Sequence, residues 1–253
     1  MLSVWWAPNF GFAISFVIAA MGLAAIAILK IRYAISPPSD GPLSTVRESF
    51  TTLKTLAFGD VYFRVGLCAS LLQSFVLGLY DPMLTIILKD QGLNASAFGI
   101  VVSATAVGAL VGAILFKRLF KRKWGIALTS LSLSGFGGSV FIPGLLGIIE
   151  YRIPLPVFAI LWAVNGLCYA LAAMNFAVIL QSETPRAQIG TVSSTIRSVQ
   201  LLLLVTAPLA GSAFTALIGV SGVFAFCGVV TLFFAAVLGW WSSVRRLDPS
   251  PSA

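Results

Sequence analysis

The chain has 253 residues, 58% of them hydrophobic and only 9% charged, with 16 Lys and Arg against 8 Asp and Glu and no histidine. A soluble domain carries about a quarter charged residues, so this composition points to a bilayer, where the net charge of +8 reads as Lys and Arg gathered in cytoplasmic loops and not as affinity for nucleic acid. Without histidine there is no Ser-His or Cys-His nucleophile, no His-ligated metal and no histidine proton relay; an enzyme is not expected, nor any cofactor or metal.

Seven apolar runs come near the ~20 residues that a helix needs to cross a membrane, and helix is the one state that satisfies their backbone in lipid. The first, Phe10–Leu29, is no secretory leader, since Lys30 and Arg32 follow it and no basic residue precedes it. "ISPPSDGPLS", Ile35 to Ser44, then reads as an extended, helix-hostile linker. After it, "TVRESFTTLKTLAF" predicts a short amphipathic helix on the cytoplasmic surface. Thr45 and Glu48 match a capping box, and Val46, Phe50, Leu53 and Ala57 recur at helical spacing.

Six further runs follow, at Val65–Leu88, Gly99–Phe116, Gly125–Ile149, Leu155–Leu180, Thr191–Ile218 and Val223–Trp241. "GVSG", residues 219–222, makes a tight turn between the last two. The expected fold is therefore all-α and polytopic, with seven transmembrane helices arranged as one, a linker and six. Residues 1–32 form a single transmembrane helix, 33–60 the linker with its amphipathic helix, 61–246 a six-helix domain of two triplets, and 247–253 a tail. Cys68, Cys168 and Cys227 fall inside apolar runs, far from any C-x-x-C spacing, and read as buried structural thiols.

Charge placement orients these elements. Lys30, Arg32, Arg47 and Lys54 lie in one connection, Lys117, Arg118, Lys121, Arg122 and Lys123 in another, Arg186 in a third, and Arg245 and Arg246 at the end. The alternate connections hold only Lys89 beside Asp90 and Arg152 beside Glu150. The N-terminus is expected outside and the C-terminus in the cytoplasm, with Trp5, Trp6, Trp240 and Trp241 at the interfaces.

Polar groups inside apolar spans are costly enough to be candidate functional residues. Asp81 is the sharpest, a carboxylate able to carry a coupling proton; Ser74 and Leu77 share its face, with Gln73 and Tyr80 beside them. Pro82 leaves open an early helix end with Asp81 as an outer cap. Asn165 and Tyr169, at i and i+4, suit a substrate cavity, although Asn165 equally suits a hydrogen bond to a neighbouring helix. Arg197 and Gln200 can meet an anionic substrate, while Arg197 and Arg64 are also placed to snorkel. Gly108-x-x-x-Gly112 and Ala207-x-x-x-Gly211 read as helix-contact faces.

One helix, a Pro-rich linker with an amphipathic segment, and six helices resemble the end of the first half and the whole second half of a major facilitator superfamily transporter. "NFAVILQSETPRAQIGTVSS", Asn175 to Ser194, is similar to the N…Q…P-x-x-x-x-G-x-V-x-S signature of enterobactin-export and macrolide-efflux type exporters, with Asn175, Gln181, Pro185, Gly190, Val192 and Ser194 on the pattern. "APLAG", Ala207 to Gly211, and "GVSGVFAFCG" resemble the closing helical pair. The family's basic turn, G-x-x-x-D-R-x-G-R-R, is kept at Gly112 but has Phe116 in place of the acid and Leu119 in place of the second glycine. Five helices of the expected first half are missing.

The resemblance implies a proton-coupled exporter of a drug-, macrolide- or siderophore-like compound in the bacterial inner membrane, present as a half. Its partners would be membrane lipid, the small-molecule substrate, and a missing N-terminal half supplied by a separate chain or a second copy. It also implies a cytoplasmic gate at Glu183, Arg186, Lys117 and Arg118; an ordinary polar loop accounts for the same residues. Within the loop, Pro185 is expected to end one helix and Gly190 to permit the reversal. A truncated inactive remnant and a receptor-like seven-helix protein remain as alternatives, the latter without a lysine in Val223–Trp241 to carry retinal.

Overall fold

A computed structural model describes residues 46–119, 125–186 and 188–247, with side chains from residue 50 to residue 243. The expected first span, the Pro-rich linker, Thr45 and the side chain of Glu48, Lys121 to Lys123, and the side chains of Arg245 and Arg246 lie outside it. The described residues form one compact unit.

Among the described residues every regular element is helical: α1 Val46–Gly59, α2 Val61–Tyr80, α3 Leu84–Asp90, α4 Ala95–Leu119, α5 Gly125–Ile148, α6 Leu155–Glu183 and α7 Ile189–Leu247. Five helical segments are long and apolar enough to cross a membrane; one of them is α2 and α3 taken together, Val61–Asp90. The 59-residue α7 cannot be straight, because Gly219 takes φ 73 and ψ 169, a conformation open essentially only to glycine. It separates a first arm, 189–218, from a second, 220–247. Phe214 and Phe226 stack with centroids 5.5 Å apart, whereas twelve residues of straight helix would hold them about 18 Å apart. The arms therefore fold back on each other, as the glycine-bracketed "GVSG" predicts.

Close contacts give each helix its direction. The first arm of α7 runs alongside α2 in the same sense: Gln200 meets Ser70, Ala207 meets Gly78, Gly211 meets Leu79 and Thr215 meets Met83. In the same way α4 and α6 run together, Gly108 against Ala163 and Gly112 against Leu167. Helix α5 runs opposite to α6, through Ser139–Asn165 and Gly135–Cys168, and opposite to the second arm, through Gly144–Ala225 and Gly137–Thr231. Tyr80–Asn165 and Phe63–Phe176 set α2 opposite to α6. The starts of α2, α5 and the first arm thus lie at one end of the bundle, with the finishes of α4, α6 and the second arm.

Arg64, Lys117, Arg118, Arg186 and Arg197 gather at or near that end and are all exposed. Lys89, Asp90, Glu150 and Arg152 mark the other. There, Gln91 Oε1 accepts a buried hydrogen bond from the Ile153 amide at 2.8 Å and ties the two turns together. Asp60 alone joins α1 to α2. Its extended backbone (φ −123, ψ 128) ends the first helix, and its Oδ1 caps the second by accepting from the Phe63 amide at 2.7 Å.

Several expectations are corrected. Phe50 faces away from the body of the protein, and it is Leu53, Leu56 and Ala57 that pack inward from α1. Cys68 is exposed, whereas Cys168 and Cys227 are buried. Gly190 already lies inside α7 with no positive φ, so the reversal after α6 is made by the extended Thr184 and by the Pro185 turn, where the Gln188 amide donates to the Pro185 carbonyl at 2.8 Å.

The glycine contacts yield a test. A Cβ on Gly108 would fall on the Ala163 carbonyl, whereas one on Gly138 meets nothing within 4 Å. Gly108→Ala should lose about 1–3 kcal/mol by forcing α4 from α6. Gly138→Ala should be neutral or gain up to about 1 kcal/mol from helix propensity. Reversible unfolding in mixed micelles checks both, and equal effects would show that close backbone approach is not what joins α4 to α6.

Candidate functional site

The candidates on α2 do not share one surface. Helix α2 stops at Tyr80, Asp81–Met83 form one 3-10 turn, and α3 resumes the same apolar segment at Leu84. Pro82 causes the break, since it has no amide proton and its ring crowds the preceding turn. Asp81 therefore lies at the break itself, as the C-terminal cap of α2 and the first residue of the 3-10 turn. Its amide still donates to the Leu77 carbonyl, its carbonyl accepts from the Leu84 amide, and its side chain is exposed on the flank of the bundle. Gln73 and Tyr80 face the opposite way, with 3% and 1% of their surface exposed. The stripe drawn from helical spacing is divided between core and flank.

Tyr80 and Asn165, far apart in sequence, meet in the core. Tyr80 Oη lies 3.4 Å from Asn165 Oδ1 and 3.3 Å from its Nδ2. That Nδ2 also donates to Ser139 Oγ at 3.0 Å, and Ser139 Oγ donates to the Phe136 carbonyl at 2.7 Å. Phe136, Trp162 and Phe224 surround the Tyr80 ring with centroids 5.4–6.4 Å away. This uncharged knot joins α2, α5 and α6, so Asn165 takes the helix-bonding role and not an open cavity wall. Tyr169, half-buried, packs its ring 6.4 Å from Phe136.

Nearer the basic end, Gln200 Nε2 donates to Ser70 Oγ and joins the first arm to α2, while Arg197 on the same arm stays exposed. Gln73 is buried, and its Nε2 has no hydrogen-bond partner in the structure. Such a donor is a strong candidate for a bound acceptor, because an unmatched buried amide costs about 1–3 kcal/mol.

Composition did not single out two participants, Ser139 and Ser70, because serines in apolar helices commonly bond their own backbone. Asn175 stands out in the sequence only as part of a motif. Fully buried, it donates from Nδ2 to the Gly125 carbonyl and to Thr129 Oγ1, both at 2.8 Å, and fastens the start of α5 to α6. An asparagine inside an apolar run was the available signal. At the α6–α7 connection, Ser182 Oγ donates to Glu183 Oε1 at 3.1 Å; Arg186, Lys117 and Arg118 are exposed.

The described bundle can be set beside known proteins. The family model of the Major Facilitator Superfamily matches residues 66–253. The chain belongs to the major facilitator superfamily. It is a multi-pass membrane protein of a family of transporters, not enzymes, and its all-helical spans form part of that family's domain. No curated protein and no solved structure matches it. Within a superfamily transporter, the knot at Tyr80, Asn165 and Ser139 and the clasp at Gln200 and Ser70 set the relative positions of the helices that carry Gln73 and Asp81.

The knot is open to a double-mutant cycle. Tyr80→Phe and Asn165→Leu should couple by about 0.6 kcal/mol and by no more than about 1.7 kcal/mol, the range for hydrogen bonds between membrane helices. Unfolding in micelles measures it. Additive losses would leave ring packing alone to join the three helices.

Proposed function

We propose that this chain is one half of a proton-coupled exporter that moves a small amphipathic compound, such as a drug, a macrolide or a siderophore, across the bacterial inner membrane. The observation that carries the reading is Asp81. Among the described residues it is the one acid set well between the ends of an apolar membrane segment, since Asp60, Asp90, Glu150 and Glu183 sit at helix ends or in connections. A carboxylate in that setting is kept for exchange of charge. The proline break falls at the same point, on a flank that the six helices do not cover.

The reading as a half rests on which helices lack neighbours. Helix α4 and the first arm of α7 leave Val107, Leu110, Ile114, Leu202, Val205 and Leu209 exposed. Such flanks suit a second six-helix body, from another chain or a second copy, with the substrate path between the two bodies and alternating access by rocking of one against the other. The pairing of helices also supports two triplets. The contacts α2 with the first arm, α4 with α6, and α5 with the second arm remain the same set when the first three helices exchange with the last three. The basic end is assigned to the cytoplasm, with the N-terminus outside and the C-terminus inside. Glu183, Arg186, Lys117 and Arg118 would then ring a cytoplasmic gate. Gln73, Tyr80, Asn165, Tyr169, Arg197 and Gln200 would serve substrate binding, with Tyr80, Asn165 and Gln200 also holding the helices around Gln73.

Vesicles loaded with a pH-sensitive dye test the proposal. At a protein-to-lipid ratio that keeps the chain monomeric, it should insert yet show no proton movement when ethidium, a macrolide or a catechol siderophore is added. Movement should appear with a co-reconstituted first half or in a cross-linked dimer, and Asp81→Asn should remove it while leaving the unfolding midpoint unchanged. Flux from the monomer overturns the half-transporter reading, and undiminished flux in Asp81→Asn overturns the coupling role.

A further inference from the structure

Helix α1 has a face that the protein does not use. Successive residues of a helix lie about 100° apart around its axis. Leu56, Leu53 and Ala57 therefore occupy one arc, and all three pack on Phe63, Leu67, Phe176, Ile179, Val192 and Ile196. The next arc, immediately beside Ala57, carries Phe50, Lys54 and Phe58 in a row at i, i+4 and i+8. Phe50 is 50% and Phe58 72% exposed, and Lys54 between them is exposed too. The hydroxyl row Thr51 and Thr55 comes after that, on the far side. The apolar arc of α1 is thus about twice as wide as the protein covers, and its uncovered part lies between the protein and the hydroxyl side.

We infer that α1 is an in-plane membrane anchor whose Phe50–Lys54–Phe58 row enters the interface of the bilayer, the rings among the upper acyl chains and the ammonium at anionic lipid headgroups. Three observations favour lipid over a protein partner. Phe58 stands three residues before Val61, the first residue of a membrane segment, with only Gly59 and the extended Asp60 between, so its ring is held at the depth where the bilayer begins. The segment that follows also exposes Tyr62 and Cys68, on two sides of a helix long and apolar enough to lie in lipid. Two exposed aromatic rings, a lysine whose stem can lie along them and a hydroxyl row at the far edge of the arc also give the helix an apolar and a polar side, as interfacial helices have. The neighbouring packed arc rests on residues of α2, α6 and the first arm of α7, so the anchor would hold the basic end of the bundle at a fixed depth.

Spin labels distinguish the occupants. In a Cys68→Ala background, with Cys168 and Cys227 buried, Phe50→Cys, Phe58→Cys and Thr55→Cys are each labelled in the full chain and reconstituted in phosphatidylcholine vesicles containing phosphatidylglycerol. Collisions with oxygen, which concentrates in the bilayer, are then compared with collisions with a water-soluble nickel chelate. The expected ratio of oxygen to nickel accessibility is above one at positions 50 and 58 and below one at 55. Nickel access at 50 and 58 equal to that at 55 would make the row a free aqueous face, and shielding of 50 and 58 from both reagents would make it a protein interface; either result overturns the anchor. All three substitutions are at exposed positions, and an unchanged unfolding midpoint confirms that the labelled chains are folded.

Discussion

In a bilayer these helices gain little by hiding apolar surface from one another, because lipid tails are as apolar as leucine. What joins them is contact at distances that only a missing side chain allows. Gly108 and Gly166 bring the backbones of α4 and α6 together, Gly78 and Gly211 do the same for α2 and the first arm of α7, and Gly144 and Gly228 for α5 and the second arm. Each of the three pairings rests on glycine, and each is dispersion between closely fitted surfaces, which falls away steeply with separation. The arrangement is firm within a pair, and the outer flanks are left unconstrained.

Polar side chains then set register inside this frame. Tyr80, Asn165 and Ser139 link three helices in the aromatic core, Asn175 fastens the start of α5 to α6, and Gln91 joins two turns at the opposite end. All of these groups are uncharged, which suits a medium where an ion costs several kcal/mol. Among the described residues charge is confined almost entirely to the ends, and the acid that departs from this is Asp81, where Pro82 interrupts a span. Structural polarity faces inward and is largely matched, with the buried Gln73 amide as an unmatched donor. The carboxylate with a proposed transport role faces the uncovered flank.

Much of this was legible in the residues. Among the described residues, apolar runs located the membrane helices to within a few residues, because lipid imposes both their length and their state. The pair Gly219 and Gly222 marked the hairpin, and both small-x-x-x-small motifs marked real contacts. The site was less legible. Helical spacing put Gln73, Tyr80 and Asp81 on neighbouring positions of one helix, yet spacing does not say which side meets other helices and which meets lipid or a partner. Periodicity gives that answer in water, where polar residues turn outward; in a bilayer both sides of a helix are apolar, and the signal is lost. Helical spacing likewise set Phe50 in one apolar stripe with Leu53 and Ala57 without saying which of them pack, since an aromatic ring fits an interior and a lipid interface equally well.

Gly190 shows the limit of reading a motif as geometry. Its place in the signature suggested a turn, but the chain reverses at Thr184 and Pro185 and Gly190 is helical, with open space around it. The amino-acid sequence by itself determined that this is a helical membrane protein, where most of its spans lie and which connections carry positive charge, because those properties follow from local interaction of each segment with lipid and water. The tertiary structure alone decided that Tyr80 meets Asn165, that Gln73 is buried while Asp81 is not, and that α1 keeps an aromatic row uncovered. Those outcomes depend on how helices distant in the chain rotate about their axes to bring glycine against backbone, and no single segment encodes that rotation.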